Sequence, residues 1–192
     1  MNTKQIATKK QQLEELYNLF NNCTQCPLGS LGRENIVFGA GNPDSKIVFI
    51  GEGPGAQEDL QGKPFVGRSG QLLTKVLELC GTRREDIYIT NIVKCRPPLN
   101  RAPAPIEVTT CTNLLLKKQL SIIKPDIICT LGATAFTFFC GNSETISQSR
   151  GKIFTFKEYN ILPTYHPAYL LRNPKMLPIF ISDLEKVFNT KI

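Results

Sequence analysis

Lys46-Ile-Val-Phe-Ile50, followed at once by Gly51-Glu-Gly-Pro-Gly55, decides the fold. A short run of β-branched and aromatic residues ending on glycine and proline reads as a buried strand that feeds a loop of unusual backbone freedom. Downstream, Gly67 to Leu79 sets Leu72, Leu73, Val76, Leu77 and Leu79 on a helical stripe, and Gly81 offers a stop. Asp86 to Asn91 alternates as a second strand, Pro97 to Pro105 is loop, and Ile106 to Ile123 is a helix carrying Cys111. Asp126 to Thr130 is a strand, Gly132 to Cys140 a short helix, Ile153 to Phe156 and Tyr159 to Pro163 are strands, and Pro174 to Asn189 closes as a helix. Upstream, Ile6, Leu13, Leu16, Leu19 and Phe20 predict a helix over 5–21 that runs into Cys23-Thr-Gln-Cys26.

Strands alternating with helices imply an α/β fold, a three-layer αβα sandwich around a central, mostly parallel sheet of four strands. The 192 residues suit a single domain over 1–192, with 1–22 forming the N-terminal helix that leads into the first cysteines. In such sheets ligands bind at the carboxyl ends of the strands, so the chemistry is expected in the loops that follow them.

No stretch has the apolar length of a membrane span, and the polar start from Met1 to Gln12 has no secretory pattern, so a reducing cytoplasm is expected. A net charge of +7 favours an anionic partner such as nucleic acid, although Arg83-Arg84 and Lys117-Lys118 read as solvated surface. The only Gly-Lys pair, Gly62-Lys63, is followed by Pro64, which removes a phosphate-cradling P-loop from consideration.

Seven cysteines in a reducing compartment point to metal ligands or buried apolar residues rather than disulfides. Cys23 and Cys26 form a C-x2-C pair, and the Pro-rich loop between Cys95 and Cys111 is able to bring the later helix back toward it. Zinc and an iron–sulfur cluster both suit four thiolates, and spacing alone does not choose between them. Cys80, Cys129 and Cys140, in or beside predicted helix and strand segments, read as small hydrophobes.

Three ordered stretches carry a more specific signal: Gly51 to Leu73, Tyr88-Ile-Thr-Asn-Ile-Val-Lys-Cys-Arg-Pro-Pro98, and Leu162-Pro-Thr-Tyr-His-Pro-Ala-Tyr-Leu-Leu-Arg-Asn-Pro174. Together they resemble the family-4, iron–sulfur uracil-DNA glycosylases. The resemblance runs from about Cys23 to the last helix and includes Cys23, Cys26, Cys95 and Cys111, which it implies bind a structural [4Fe-4S] cluster. It further implies that Phe65 stacks on an extruded base, that Asn91 pairs with its pyrimidine edge, and that His166 assists departure of uracil. Glu52, Gly53, Glu58 and Asn100 match positions that shape the pocket, with Glu58 and Asn100 a possible pair bracing the loop. Leu170, Leu171 and Arg172 resemble a duplex-wedging loop, and Ser69, Gln71, Lys94 and Arg96 are candidate phosphate contacts.

The implied residue types suit the chemistry. A base must leave the stack before it is cut, which requires stacking and edge hydrogen bonds. A carboxamide offers a donor and an acceptor to uracil O4 and N3–H, and a fixed orientation turns away cytosine. His166, the only histidine, suits donation to uracil O2 as negative charge builds there, while Glu52 suits orienting water or stabilising the sugar cation.

Two departures from the family pattern stand out. Phe65 runs straight into Val66-Gly67-Arg68, without the histidine-containing insertion of relatives that form covalent adducts with DNA, and Ala56 and Gln57 replace acids common in the first motif. The expected activity is therefore hydrolysis with turnover on single- or double-stranded DNA by a monomer. The rival readings are a non-catalytic iron–sulfur nucleic-acid-binding module and a glycosylase for another deaminated base.

Overall fold

The computed structural model describes residues 7–141 and 143–190. Helix α1 (Lys9–Phe20) starts at Thr8, whose hydroxyl accepts from Gln11 N–H while the Gln11 side chain accepts from Thr8 N–H. This reciprocal cap places the start later than periodicity predicts, and residues 5–6 of the predicted helix lie outside the described residues. Strands β1 (Ala40–Gly41) and β2 (Ile47–Gly51) come next, then helices α2 (Ala56–Gln61) and α3 (Arg68–Leu79), strand β3 (Tyr88–Asn91) and helix α4 (Pro105–Cys111). A π-helical turn, Thr112–Leu116, joins α4 to α5 (Lys117–Ile123), so the predicted helix over 106–123 is continuous but locally widened just after Cys111. The remainder is β4 (Ile127–Leu131), α6 (Ala133–Cys140), α7 (Ile146–Ser149), β5 (Phe154–Phe156), β6 (Tyr159–Thr164), α8 (Pro167–Arg172) and α9 (Leu177–Asn189).

Among the described residues the sheet has six strands in the order β1-β3-β2-β4-β6-β5, which corrects the expected four. The inner four, β3, β2, β4 and β6, are mutually parallel, whereas β1 and β5 add antiparallel edges. At two residues, β1 is too short to carry a period-two signal, which is why the sequence did not reveal it.

Side chains alternate between the two faces as the pleat requires. Val48, Ile50 and Ile128 pack with α1, α5 and α6 on one face, and Phe49, Ile89, Cys129 and Leu162 with α3, α8 and α9 on the other. Helix α3 ends as Gly81 predicts: at φ 73, Gly81 N–H bonds Glu78 O and Thr82 N–H bonds Leu77 O. Helix α9 is tied to the end of β6 by buried Asp183, which accepts from Thr164 Oγ1 at 2.7 Å and from Arg150 Nε at 2.6 Å. That bond fixes the strand end two residues before His166.

Candidate active site

All four parallel strands end at one cavity of about 540 Å³. Gly51 of β2 is in register with Asn91 of β3, and β4 and β6 deliver Gly132 and His166 just beyond their last residues. The fold thus gathers Glu52, Gly53, Glu58, Phe65, Ser69, Asn91, Asn100, His166 and Arg172 of the expected site residues at its wall.

The cavity floor depends on a missing side chain. A Cβ on Gly51 would lie 2.5 Å from the Phe65 ring and 2.6 Å from Asn91 Oδ1, so both groups occupy the space over that glycine. Asn91 is 1% exposed, and its buried Oδ1 has no hydrogen-bond partner. An unpaired buried acceptor costs about 1–3 kcal/mol, a cost that a ligand N–H at this wall would remove.

Phe65 holds a left-handed backbone at φ 52, unfavourable for an aromatic residue, and two side chains fix it there. Glu58 Oε1 accepts from Val66 N–H at 2.9 Å and Gly67 N–H at 2.8 Å. From the other side, Arg84 donates to Phe65 O at 2.7 Å, to Thr74 Oγ1 at 3.3 Å, and to Pro64 O. Two expectations are corrected: Glu58 braces this loop rather than pairing with Asn100, and Arg84 is a structural clamp, although Arg83 does lie on the surface, paired with Asp86. Gly70 completes the arrangement, since a Cβ there would stand 2.0 Å from Phe65 backbone atoms.

His166 caps α8 with its ring: Nδ1 accepts from Ala168 N–H at 3.1 Å, and Pro167 fills the first helical position, where no N–H is needed. With Nδ1 accepting, the neutral ring carries its proton on Nε2 and presents a donor. Burial lowers the imidazole to about 4, with Glu58 pulling it up and Arg172 pushing it further down, so the ring is neutral at physiological pH. Its centroid lies 5.6 Å from that of Phe65 at an interplanar angle of 34°.

Glu52, immediately after β2, accepts from the Thr134 hydroxyl at the start of α6. On the opposite wall, Arg101 is held by the buried carboxylate of Glu107 at 2.8 and 2.6 Å, and this pair lowers the Glu107 pKa. Asn100 Oδ1 accepts from Arg96 Nε at 2.8 Å. Thr134 and Arg84 carry no motif signal, because their roles come from partners distant in sequence.

The rim divides the remaining expected residues. Leu171 is 40% exposed and Arg172 and Gln71 are exposed, but Leu170 is buried in the core beneath α8, which corrects its expected wedging role. Lys94 is also corrected: it is fully buried and donates to Thr90 Oγ1 at 2.5 Å and Asn91 O at 2.7 Å, out of reach of any phosphate. Leu99, 96% exposed at φ 54, stands in the same Pro-rich loop as Asn100.

Cys23, Cys26, Cys95 and Cys111 meet at the edge of the core packed around α1 and α5. They stand within electrostatic reach of one another: burial pushes Cys95 up to about 12 and Cys111 to about 11, and in both cases Cys23 and Cys26 add to the rise. Arg33 opposes it at Cys95 and also donates to Cys23 O and Gly29 O, both at 2.9 Å, anchoring the first cysteine loop. Lys94 N–H donates to Cys111 Sγ at 3.3 Å. Among the described residues, no three His, Cys, Asp or Glu side chains are gathered tightly enough to hold one metal ion. Of the other cysteines, Cys129 is fully buried, whereas Cys80 and Cys140 are only partly so.

A parallel sheet whose strand ends converge on an aromatic ring, an unpaired amide and a neutral histidine defines an α/β protein with a ligand cavity at the carboxyl ends of its strands. The family model described as the uracil DNA glycosylase superfamily matches residues 38–189. The type-4 uracil-DNA glycosylase of Thermotoga maritima is 49% identical over 94% of this chain and 95% of its own, and that of Archaeoglobus fulgidus is 41% identical over 92% of each. A type-5 uracil-DNA glycosylase of Pyrobaculum aerophilum is more distant, at 25% identity over 93% of this chain. The chain belongs to the uracil-DNA glycosylase superfamily, in its type-4 branch.

Proposed function

We propose that the protein is a monofunctional uracil-DNA glycosylase that hydrolyses the N-glycosidic bond of uracil flipped out of DNA, acting in base excision repair. The observation that carries this reading is the convergence, on one cavity, of the Phe65 ring, the unpaired Asn91 Oδ1 and the neutral His166. The names of the relatives, type-4 uracil-DNA glycosylases over nearly the full length of this chain, support it.

In this reading Phe65 stacks on the base and Asn91 Oδ1 accepts from uracil N3–H, leaving its amide N–H for O4. The bond between sugar C1′ and uracil N1 breaks with its electron pair moving to the base, and His166 Nε2–H donates to O2 as the charge arrives. A neutral donor avoids a buried cation before the reaction begins. Glu52, oriented by Thr134, faces the sugar side, where it directs water to C1′ or offsets the oxocarbenium charge. Ser69, Gln71, Arg96 and Arg172 contact phosphates, and Leu171 enters the gap left by the base.

Cys23, Cys26, Cys95 and Cys111 hold a [4Fe-4S] cluster, which when bound ties α1, the loop after β3 and the end of α4 together. The type-4 relatives and the grouping of four thiols support that assignment. The protein acts as a monomer in the cytoplasm, on single- or double-stranded DNA.

Alkali-induced scission of an oligonucleotide carrying one uracil, with thymine and cytosine controls, tests the activity. Uracil-dependent scission that is lost in His166→Ala is the expected result. No scission by iron-loaded wild type overturns the reading.

A further inference from the structure

Lys94 is among the largest fully buried side chains of the protein, and none of the ion pairs among the described residues includes it. A lysine head group with no hydrogen-bond partner in the interior is costly, so its placement calls for fixed polar partners. Nζ finds them in Thr90 Oγ1 at 2.5 Å and Asn91 O at 2.7 Å.

The residue touches both sites. Its backbone N–H donates to Cys111 Sγ, its chain neighbour is Cys95, and its Nζ holds the carbonyl of Asn91, three residues back, whose side chain forms the cavity wall. Thr90 extends the connection, since its hydroxyl donates to Phe38 O in the buried core.

We propose that Lys94 is a positioning residue that couples the cysteine-bound centre to base recognition: its backbone N–H is held at Cys111 Sγ while its Nζ holds the Asn91 carbonyl, and with it the Asn91 side chain, in the uracil-reading pose. This rests on the proposed reading of both sites. Removing the side-chain nitrogen should loosen Asn91 and, because a polar N–H donor beside a cluster favours its reduced form, lower the cluster's reduction potential.

The test compares wild type with Lys94→Met, both purified anaerobically. Three quantities are read: iron content, the midpoint potential of the visible chromophore, and affinity for an oligonucleotide bearing a non-hydrolysable 2′-fluoro-uridine against its thymine counterpart. The coupling predicts iron retained, a lower potential, and a loss of roughly tenfold or more in the preference for uracil over thymine. Unchanged potential and unchanged preference in an iron-loaded variant overturn it, leaving Lys94 as core filling. Should Lys94→Met fail to load iron, Thr90→Val, which keeps Lys94 but removes one Nζ acceptor, carries the same comparison: a smaller fall in preference supports the link and none overturns it. Colourless, iron-free wild type, or wild type that ignores uracil, would instead defeat the underlying readings independently of either variant.

Discussion

The base cavity and the cysteine corner lie on the same side of β3 in sequence, four residues apart at Asn91 and Cys95, yet they are built in opposite ways. The cavity is finished by the protein alone: Glu58 and Arg84 clamp Phe65 from both sides, Ala168 N–H orients His166, and Thr134 orients Glu52. The corner draws its thiols from three remote segments and joins them by few bonds, chiefly Arg33 to the first loop and Lys94 N–H to Cys111. The difference teaches that the fold itself orients the cavity side chains, whereas, in the function proposed above, the cysteine segments rely on the cluster they hold. Mutations in the cavity should therefore abolish catalysis and spare the fold, and mutations in the corner should do the reverse.

The largest expected effect lies in the cavity. Asn91→Ala and His166→Ala should each lower uracil excision by about 10²–10⁴-fold, the range for removing a preorganised transition-state contact, while the melting temperature changes little. A melting drop as large as the activity loss would break the contrast. In the corner, Cys95→Ser should cost about 3 kcal/mol or more in unfolding free energy and abolish iron binding, with residual excision per folded molecule higher than in either cavity variant. Calorimetry and an iron assay on the same preparations decide it.

An intermediate case sharpens the boundary. Arg84→Met leaves the Pro64 and Phe65 carbonyls without their donor while keeping the side-chain bulk, so Phe65 is free to relax from its left-handed conformation. The expected result is about a tenfold loss in kcat/KM with about 1–2 kcal/mol of stability lost. Equal losses in binding uracil-free and uracil-bearing DNA would show that Arg84 supports the fold and not the stacking ring.

The same contrast explains what the sequence made legible. Strands β2, β3, β4 and β6 showed themselves because each is a short apolar run ending beside a glycine, asparagine or histidine, and the cavity followed because the ends of parallel strands meet. Motif resemblance then supplied Phe65, Asn91 and His166, none of which is distinctive as a residue type alone. Arg84 and Thr134 were invisible because their partners lie 19 and 82 residues away, at distances no local pattern encodes. Lys94 misled for a related reason: a lysine beside candidate DNA contacts reads as surface, and only the packing of Cys111 and Thr90 around it reveals that it is enclosed. Leu170 and Leu171 are adjacent and equally apolar, so the register of α8, not their identity, decides that Leu171 faces outward.

The smallest expected effect is a pH response that separates the two regions. His166 is lowered to about 4 by burial, below its ordinary value near 6.5, so it is neutral from pH 8 down to about 5 and its Nε2 proton remains available throughout. Excision per loaded enzyme should thus be flat across that window and fall only as pH approaches 4, where the ring takes up a second proton, loses its Nδ1 acceptor role toward Ala168 and releases the cap of α8. The sign for stability is the same: the unfolded histidine protonates near 6.5 and the folded one does not, so stability present above pH 6.5 declines as pH falls toward 4. The corner should behave otherwise. Cys95 and Cys111, raised to about 12 and about 11 by burial, must release protons to bind metal, so reconstitution of iron-free protein should improve steadily with rising pH over the same window. A bell-shaped excision profile centred near pH 6.5 would mean that His166 titrates in the open and that the cavity is less closed to water than its packing requires.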